Sequence, residues 1–272
     1  MYTLGADAGH DLDASFGRLA EIGYREVELP NLLGHNAREV KAAATRAGVA
    51  ITSLHLPLLA QGGSFLSLAS EAGRIVDTLG ELGARWVAAP ILLIPDGMRP
   101  QPKEGSGSAI ARAVAAAGPD IWKRTAALLN QKGEALKPLG VSLAYHNHNL
   151  EFAPVDGTTG WDILWRETDP SFVHFELDTG WIATAGLDPV RFLKTCSGRV
   201  ALLHIKDVAA GNQRNFTITM TPAEVGSGIL KWDKILPAAY DAGVRHCYVE
   251  QEPPFVIPRM EAASFALLSK LF

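Results

Sequence analysis

Ala201-Leu202-Leu203-His204-Ile205-Lys206 is a short apolar run whose ionisable residues gather at its carboxyl end. Runs of this length bounded by polar turns read as buried strands. Working outward, similar runs occur at 3–6, 26–29, 51–56, 86–92, 142–148, 174–178 and 247–250. Amphipathic stretches separate them, at 12–22, 37–47, 65–82, 121–139, 161–167, 189–195, 232–242 and 262–272. Gly23, Gly48, Gly83, Gly140 and Gly243 each stand between a helix and the next strand, where a left-handed cap is expected. Strands alternating with helices imply a parallel sheet with right-handed crossovers. Eight such units predict an α/β chain folded as a single-domain (β/α)8 TIM barrel over residues 1–272. No Gly-x-Gly-x-x-Gly follows the first strand, which argues against a dinucleotide-binding sheet. The stretch 95–119, rich in Pro, Gly and Ser, reads as an irregular cover over the active face.

Bulk composition narrows the function. Hydrophobic residues make up 47% of 272 residues and charged residues 20%, enough for a large core. A formal net charge of −4 without a basic tract argues against nucleic acid as a partner. Cys196 and Cys247 stand far apart and read as small buried side chains, not as a disulfide or thiolate site. No apolar run reaches the roughly 18 residues of a membrane span. The first residues lack the basic and apolar regions of a signal peptide, so a cytoplasmic protein is expected. A homo-oligomer is compatible with this composition.

Barrel enzymes work at the carboxyl ends of their strands. Glu28, His55, His146, His148, Asp178, His204, Lys206 and Glu250 all end strands there, with Glu151 just beyond the fifth. His174 and His246 begin their strands and fall on the opposite, stabilising face. His10 and His35 read as solvated loop residues. Asp178, His204 and Glu250, with one more ligand after the fifth strand, make a hard, oxygen-rich set for one divalent ion: Mn, Co, Mg or Zn. Buried carboxylates repel one another, and a metal lets them ionise together. The competing reading is a salt-bridge network involving Lys206.

Five segments, in order after the appropriate strands, resemble the xylose-isomerase-like barrels, the sugar phosphate isomerases and epimerases. They are Tyr145-His146-Asn147-His148-Asn149-Leu150-Glu151-Phe152, Glu176-Leu177-Asp178-Thr179-Gly180-Trp181, Leu203-His204-Ile205-Lys206-Asp207, Glu224-Val225-Gly226-Ser227-Gly228 with Trp232, and Val249-Glu250-Gln251. The resemblance implies a metal held by a glutamate, an aspartate, a histidine and a second glutamate. Asp178, His204 and Glu250 match the last three. For the first, Glu151 is favoured, because a hard ion prefers carboxylate oxygen, with His146 as the alternative.

The implied chemistry is isomerisation or epimerisation of a ketose or keto-sugar through an enediolate. Glu151 and Glu250 are the acid/base candidates, with His148 and His55 beside them. Glu28, His146, Trp181, Lys206 and Trp161 are the substrate-binding candidates. Lys206 would hold a substrate oxygen or neutralise Asp207, and the two tryptophans would stack on a sugar face. The alternative is a metal-dependent lyase that dehydrates or cleaves a keto-sugar or keto-glycoside on the same scaffold. A silent sugar-binding barrel and an abasic-site endonuclease are further readings. The intact ligand set opposes the first of these and the charge opposes the second.

Overall fold

The computed structural model describes residues 1–60, 66–253 and 264–269. Seven parallel strands form one sheet in chain order: β1 (Glu26–Leu29), β2 (Ala50–His55), β3 (Trp86–Ala89), β4 (Ser142–His146), β5 (Val173–Asp178), β6 (Val200–Ile205) and β7 (His246–Val249). Helices run between them. They are α1 (Leu12–Ile22), α2 (Ala37–Ala47), α3 (Ala72–Leu82), α4 (Ser106–Ala117), α5 (Asp120–Leu136), α6 (Gly160–Glu167), α7 (Thr179–Thr184), α8 (Pro189–Thr195) and α9 (Trp232–Ala242). A parallel series in chain order, with helices in every crossover, is the TIM-barrel architecture.

The expected first strand at 3–6 needs correction. Tyr2–Gly9 is a 3-10 segment in which Gly5 adopts φ 62° and ψ −150°, a conformation that breaks the pleat of a strand. Thr3 and Leu4 nevertheless line the gap between β1 and β7. Thr3 Oγ1 accepts from the Gln251 amide at 3.1 Å, so this segment takes the place of the eighth strand without joining the ladder.

The 95–119 stretch also differs from expectation, because it contains helix α4. Its alanine-rich sequence favours a helix, and Ala109 and Val114 are buried. A side chain at Gly107 would meet the Thr217 carbonyl at 2.4 Å, so the helix lies close on the loop that follows β6. Of the expected helix at 65–82, the structure shows Ala72–Leu82, and Phe65 lies outside the described residues. Of the stretch at 262–272, residues 264–268 are helical and the ends lie outside the described residues. No helix among the described residues is long and apolar enough to cross a membrane.

The helices fix the strands by burying one face each. α1 is capped by Asp11, whose side chain accepts from the Ala14 amide, and buries Phe16 and Leu19. Each such burial contributes about 1.5–3 kcal/mol. α1 ends at Gly23, at φ 125°, where an added Cβ would come within 2.4 Å of the Phe265 ring. Inside the barrel, Ala88, Ala144, Leu202 and Tyr248 form a separate apolar cluster. The Tyr248 hydroxyl lies 2.8 Å from Thr52 Oγ1 across this floor. Strand side chains alternate with period two. Two residues beyond Ala144, Leu202 and Tyr248 therefore stand His146, His204 and Glu250, on the same inner face.

On the opposite end, His246 Nδ1 pairs with Glu26 Oε2 at 2.9 Å. His246→Ala is expected to lower unfolding free energy by no more than about 1 kcal/mol, the size of a partly exposed pair, and to leave metal binding unchanged. Urea titration and metal analysis of the variant check both halves.

Candidate metal and substrate site at the barrel mouth

The inner face of β5 carries two carboxylates, Glu176 and Asp178, two residues apart and both fully buried. The ladder sets Glu176 opposite His146 and Asp178 opposite His204. Glu250 extends β7, its amide donating to the Ile205 carbonyl at 3.1 Å. Five expected residues, His55, His146, Asp178, His204 and Glu250, thus converge with Glu176, which was not among the expected site residues. The signal for Glu176 was available: an ionisable residue two positions before a strand-end aspartate must share its face.

Asp178, His204 and Glu250 each offer one ligand atom, and these atoms all lie within 4.8 Å of one another. His204 Nδ1 is 2.6 Å from Glu250 Oε2 and 3.9 Å from Asp178 Oδ2. Asp178 Oδ1 accepts from the Trp181 amide at 2.9 Å, which caps α7 and fixes the carboxylate. Lys206, fully buried, sits among the acids: its Nζ is 2.9 Å from Asp178 Oδ2, 2.7 Å from Glu250 Oε1 and 2.8 Å from Glu252 Oε1. Lys206 therefore neutralises this carboxylate set and not Asp207. Asp207 instead accepts from the Gly226 and Leu230 amides and the Trp232 indole, pinning the Glu224–Gly228 loop.

Burial penalises the Glu250 carboxylate, but Lys206 and His204 outweigh it and hold the group well below the usual range. Burial, only partly offset by Lys206, pushes Asp178 up to about 6. His204 is disfavoured as a cation by burial, yet Glu176 and Glu250 raise it well above an ordinary imidazole.

A second group of atoms meets on the other side of the His204 ring. His55, His146, Glu176 and His204 each place one ligand atom within 4.8 Å of the others. Glu28 Oε1 stands 2.8 Å from Nε2 of both His55 and His204, while Ser53 donates to Glu28 Oε2 at 2.5 Å. Burial would lower His55, but Glu28 and Glu176 overcome it and raise its pKa to about 10. Burial, together with the charges of His204, His148 and His55, pushes His146 well below the ordinary value, so it is a neutral ring.

Glu151 and His148 lie elsewhere. Glu151 is fully buried, but its oxygens accept from the Tyr145 hydroxyl at 2.7 Å and the His148 amide at 2.9 Å. Neither converging group includes it, whereas His146, the alternative first ligand, belongs to the second. Tyr145 precedes the inward-facing His146, so it points away from the barrel axis and draws Glu151 with it. His148 packs against Trp181, with ring centroids 5.3 Å apart, and burial first and Lys206 second push it down to about 3.

The two tryptophans part company. Trp181 is buried beside Lys206, whose Nζ lies 4.8 Å from the ring centroid, and its indole N–H has no hydrogen-bond partner. Trp161 packs on Phe175, Phe192 and Phe152 at 4.7, 5.0 and 5.7 Å. Phe175 faces away from Glu176, so Trp161 lies in the helix–sheet core, outside the group of side chains at the mouth.

A narrow space of about 20 Å³ touches Glu28, His55, His204 and Glu250, enough for one water-sized group. A wider cleft of about 640 Å³, bordered by His55, Asn31, Pro30, Leu33, Pro90 and Tyr2, opens beside it. Buried polar atoms are normally paired. Here His146 Nδ1, His204 Nδ1 and Glu176 Oε1 have no aligned hydrogen bond, although Glu176 Oε2 lies 3.2 Å from His146 Nδ1 and Glu250 Oε2 lies 2.6 Å from His204 Nδ1. Each of the two converging groups could hold a metal ion.

A family model for xylose isomerase-like TIM barrels matches residues 16–263. The inosose dehydratase of Geobacillus kaustophilus (strain HTA426) is 24% identical over 197 residues, 72% of this chain and 62% of that protein. The inosose dehydratase of Clostridium beijerinckii is 33% identical over 89 residues, 33% of this chain and 29% of that protein. The chain thus spans less than two thirds of the curated relatives it matches. A sugar phosphate isomerase/epimerase from Parabacteroides distasonis ATCC 8503 superposes with a TM-score of 0.72 at 25% identity, covering 98% of this chain and 91% of that one. With strand-end carboxylates and histidines in a parallel barrel and a match along nearly the whole sequence, this chain belongs to the xylose isomerase-like TIM barrel family.

Proposed function

We propose that the protein removes a proton from the carbon next to a carbonyl in a small, uncharged keto-sugar and returns it as an isomerase or epimerase. The observation that carries this reading is the convergence of Asp178, His204 and Glu250, the last two sharing a small space with His55, which borders the open cleft. Those three residues would hold one divalent ion, with Glu176 or His146 nearest as a further ligand. The ion would supply Lewis-acid stabilisation of the oxygen charge that develops as the proton leaves.

The chain's own groups divide the remaining work. Glu250, kept anionic by Lys206 and His204, is the candidate base. His55, cationic at neutral pH and bordering the cleft, donates to a substrate oxygen or returns the proton. The Trp181 indole N–H, buried and unpaired, donates to a substrate hydroxyl. Glu28 holds His55 in place, and Glu151 and His148 shape the wall through Tyr145 and Trp181. Lys206 is already shared by three carboxylates, which supports an unphosphorylated substrate.

A second reading, dehydration, is favoured by the inosose dehydratase relatives. There the same proton removal is followed by loss of a β-hydroxyl, with His55 as the acid. Incubating Mn²⁺- or Co²⁺-loaded protein with ketoses, keto-glycosides and inosose in D₂O separates the two. An isomerase or epimerase incorporates deuterium into recovered substrate and product, whereas a dehydratase yields an unsaturated ketone that absorbs in the ultraviolet. Absence of exchange and of elimination across that panel would remove the enolisation reading.

A further inference from the structure

The open cleft beside the mouth holds about 640 Å³. Pockets of about 300–1,000 Å³ take drug-sized ligands, so this one exceeds what a single sugar ring fills. Pro30, Pro90, Pro253 and Leu33 give it apolar walls. Among the described lining residues there is no lysine, arginine or carboxylate, and His55 is the one charged group. Glu28 Oε1 at 2.8 Å and Glu176 Oε2 at 3.0 Å already meet that imidazole. The cleft therefore offers no counter-charge to an anionic ligand.

Two lining residues are fixed in place by bonds made away from the cleft. Tyr2 is 42% exposed, and its hydroxyl donates to Glu252 Oε2 at 3.2 Å. The other Glu252 oxygen accepts from the buried Lys206 ammonium at 2.8 Å. The phenol is thus tethered by its tip while its ring borders the cleft. Leu33 has φ 56°, a left-handed conformation that is uncommon for a residue with a side chain. Its amide donates to Asn31 Oδ1 at 2.6 Å. A Cβ on Gly9 would come within 2.4 Å of the Leu33 carbonyl oxygen, so the loop after β1 closes directly on the Tyr2–Gly9 segment. His35 Nε2 donates to the Gly9 carbonyl at 2.8 Å and staples the two together. Strained backbone persists where its surroundings over-determine it, and it gathers at ligand clamps. A wall held this way loses little freedom on binding.

We propose that the cleft is an aglycone subsite, in which Tyr2 and Leu33 select an aromatic ring carried by the keto-sugar. The substrate class is then an aryl keto-glycoside, with its sugar at the mouth and its aryl group in the cleft. This rests on the keto-sugar reading of the mouth, to which His55 joins the cleft by bordering both spaces. A planar ring matches tyrosine and proline surfaces, by offset stacking on the first and apolar contact with the second. A second sugar is a poorer occupant. Its hydroxyls need partners, and Asn31 Oδ1 is already engaged by the Leu33 amide.

The test uses Mn²⁺-loaded full chain and glycosides that lack a carbonyl and so bind without enolising: phenyl β-D-glucopyranoside, methyl β-D-glucopyranoside and methyl β-cellobioside. Calorimetry gives the affinities, and saturation-transfer NMR the ligand protons in contact. Wild type should bind the phenyl glycoside roughly 10-fold or more tightly than the methyl one, the scale of burying one ring. Its aromatic protons should be the most strongly saturated. Tyr2→Ala and Leu33→Gly should each cut that preference several-fold. Glycine suits the left-handed backbone at position 33, so this variant decides the matter if circular dichroism shows the alanine variant unfolded. The proposal is overturned if phenyl and methyl glycosides bind equally, if methyl β-cellobioside binds as well as the phenyl glycoside, or if none of them binds. It is also overturned if the folded variants keep the wild-type preference. Deuterium exchange into keto-sugars reads the mouth separately. No exchange with the aryl preference intact removes the enolisation reading and leaves the subsite standing, whereas exchange without the preference does the reverse.

Discussion

Lys206→Met should destabilise the metal-free protein by about 3–5 kcal/mol near neutral pH, the cost of removing one partner from a buried ion pair. The lysine is fully buried and its ammonium lies within 3 Å of Asp178, Glu250 and Glu252. Methionine keeps most of the volume, so the lost charge dominates. Three acidic groups would then share a buried site with His204 as a neighbouring cation. A divalent ion can replace the missing charge, so saturating Mn²⁺ should recover much of the loss, following the free ligand concentration over Kd. Mn²⁺ should also bind more tightly to the variant, because the ammonium no longer competes for Asp178 and Glu250. Urea unfolding at pH 7, with chelator and then with MnCl₂, reads all three effects. A variant as stable as wild type in chelator would mean that Lys206 does not neutralise the set.

Much of this was legible in the sequence because strand ends are marked twice, once by the apolar run stopping and once by an ionisable residue. Asp178, His204 and Glu250 are marked that way and lie together at the barrel mouth, and seven of the eight expected strands appear. The failures have specific causes. Thr3–Ala6 has strand-like composition, but Gly5 at positive φ turns it into a 3-10 segment. Glu176 is not a strand-end residue, and its place on the inner face follows only from its two-residue spacing from Asp178. Trp161 follows the fifth expected strand in sequence, yet its orientation depends on packing against Phe175 and Phe192, which no local pattern encodes. Lys206 and Asp207 are adjacent, and adjacency suggested a pair. In a strand, neighbours face opposite ways, so one enters the ion cluster and the other holds the Gly226–Gly228 loop. Glu151 stands outside both converging groups, because its oxygens accept from the Tyr145 hydroxyl and the His148 amide.

That last contact leads to a measurable pH effect. Burial pushes the Glu151 carboxyl up to about 7, although the Tyr145 and His148 hydrogen bonds pull the other way. A carboxyl whose pKa is higher folded than unfolded binds its proton more tightly in the folded state. Its contribution is therefore fully present below the unfolded value of about 4.5 and is lost as pH rises through about 7. At 1.36 kcal/mol per unit, the whole change is on the order of 3 kcal/mol. Glu151→Gln mimics the protonated acid: its carbonyl can accept from the His148 amide while its NH₂ donates to the Tyr145 oxygen. The variant should match wild type near pH 5 and exceed it by up to about 3 kcal/mol at pH 8. Asp178 and Glu176 also have raised pKa values, and Glu28 and Glu250 lowered ones, but these are common to both proteins. The difference between the two curves therefore isolates Glu151. Urea unfolding of both proteins from pH 4.5 to 8.5 in chelator measures it, and parallel curves would show that Glu151 is ionised throughout. Mn²⁺ affinity in the same variant separates the two roles considered for this residue: a wall residue held by Tyr145 leaves it unchanged, and a metal ligand does not.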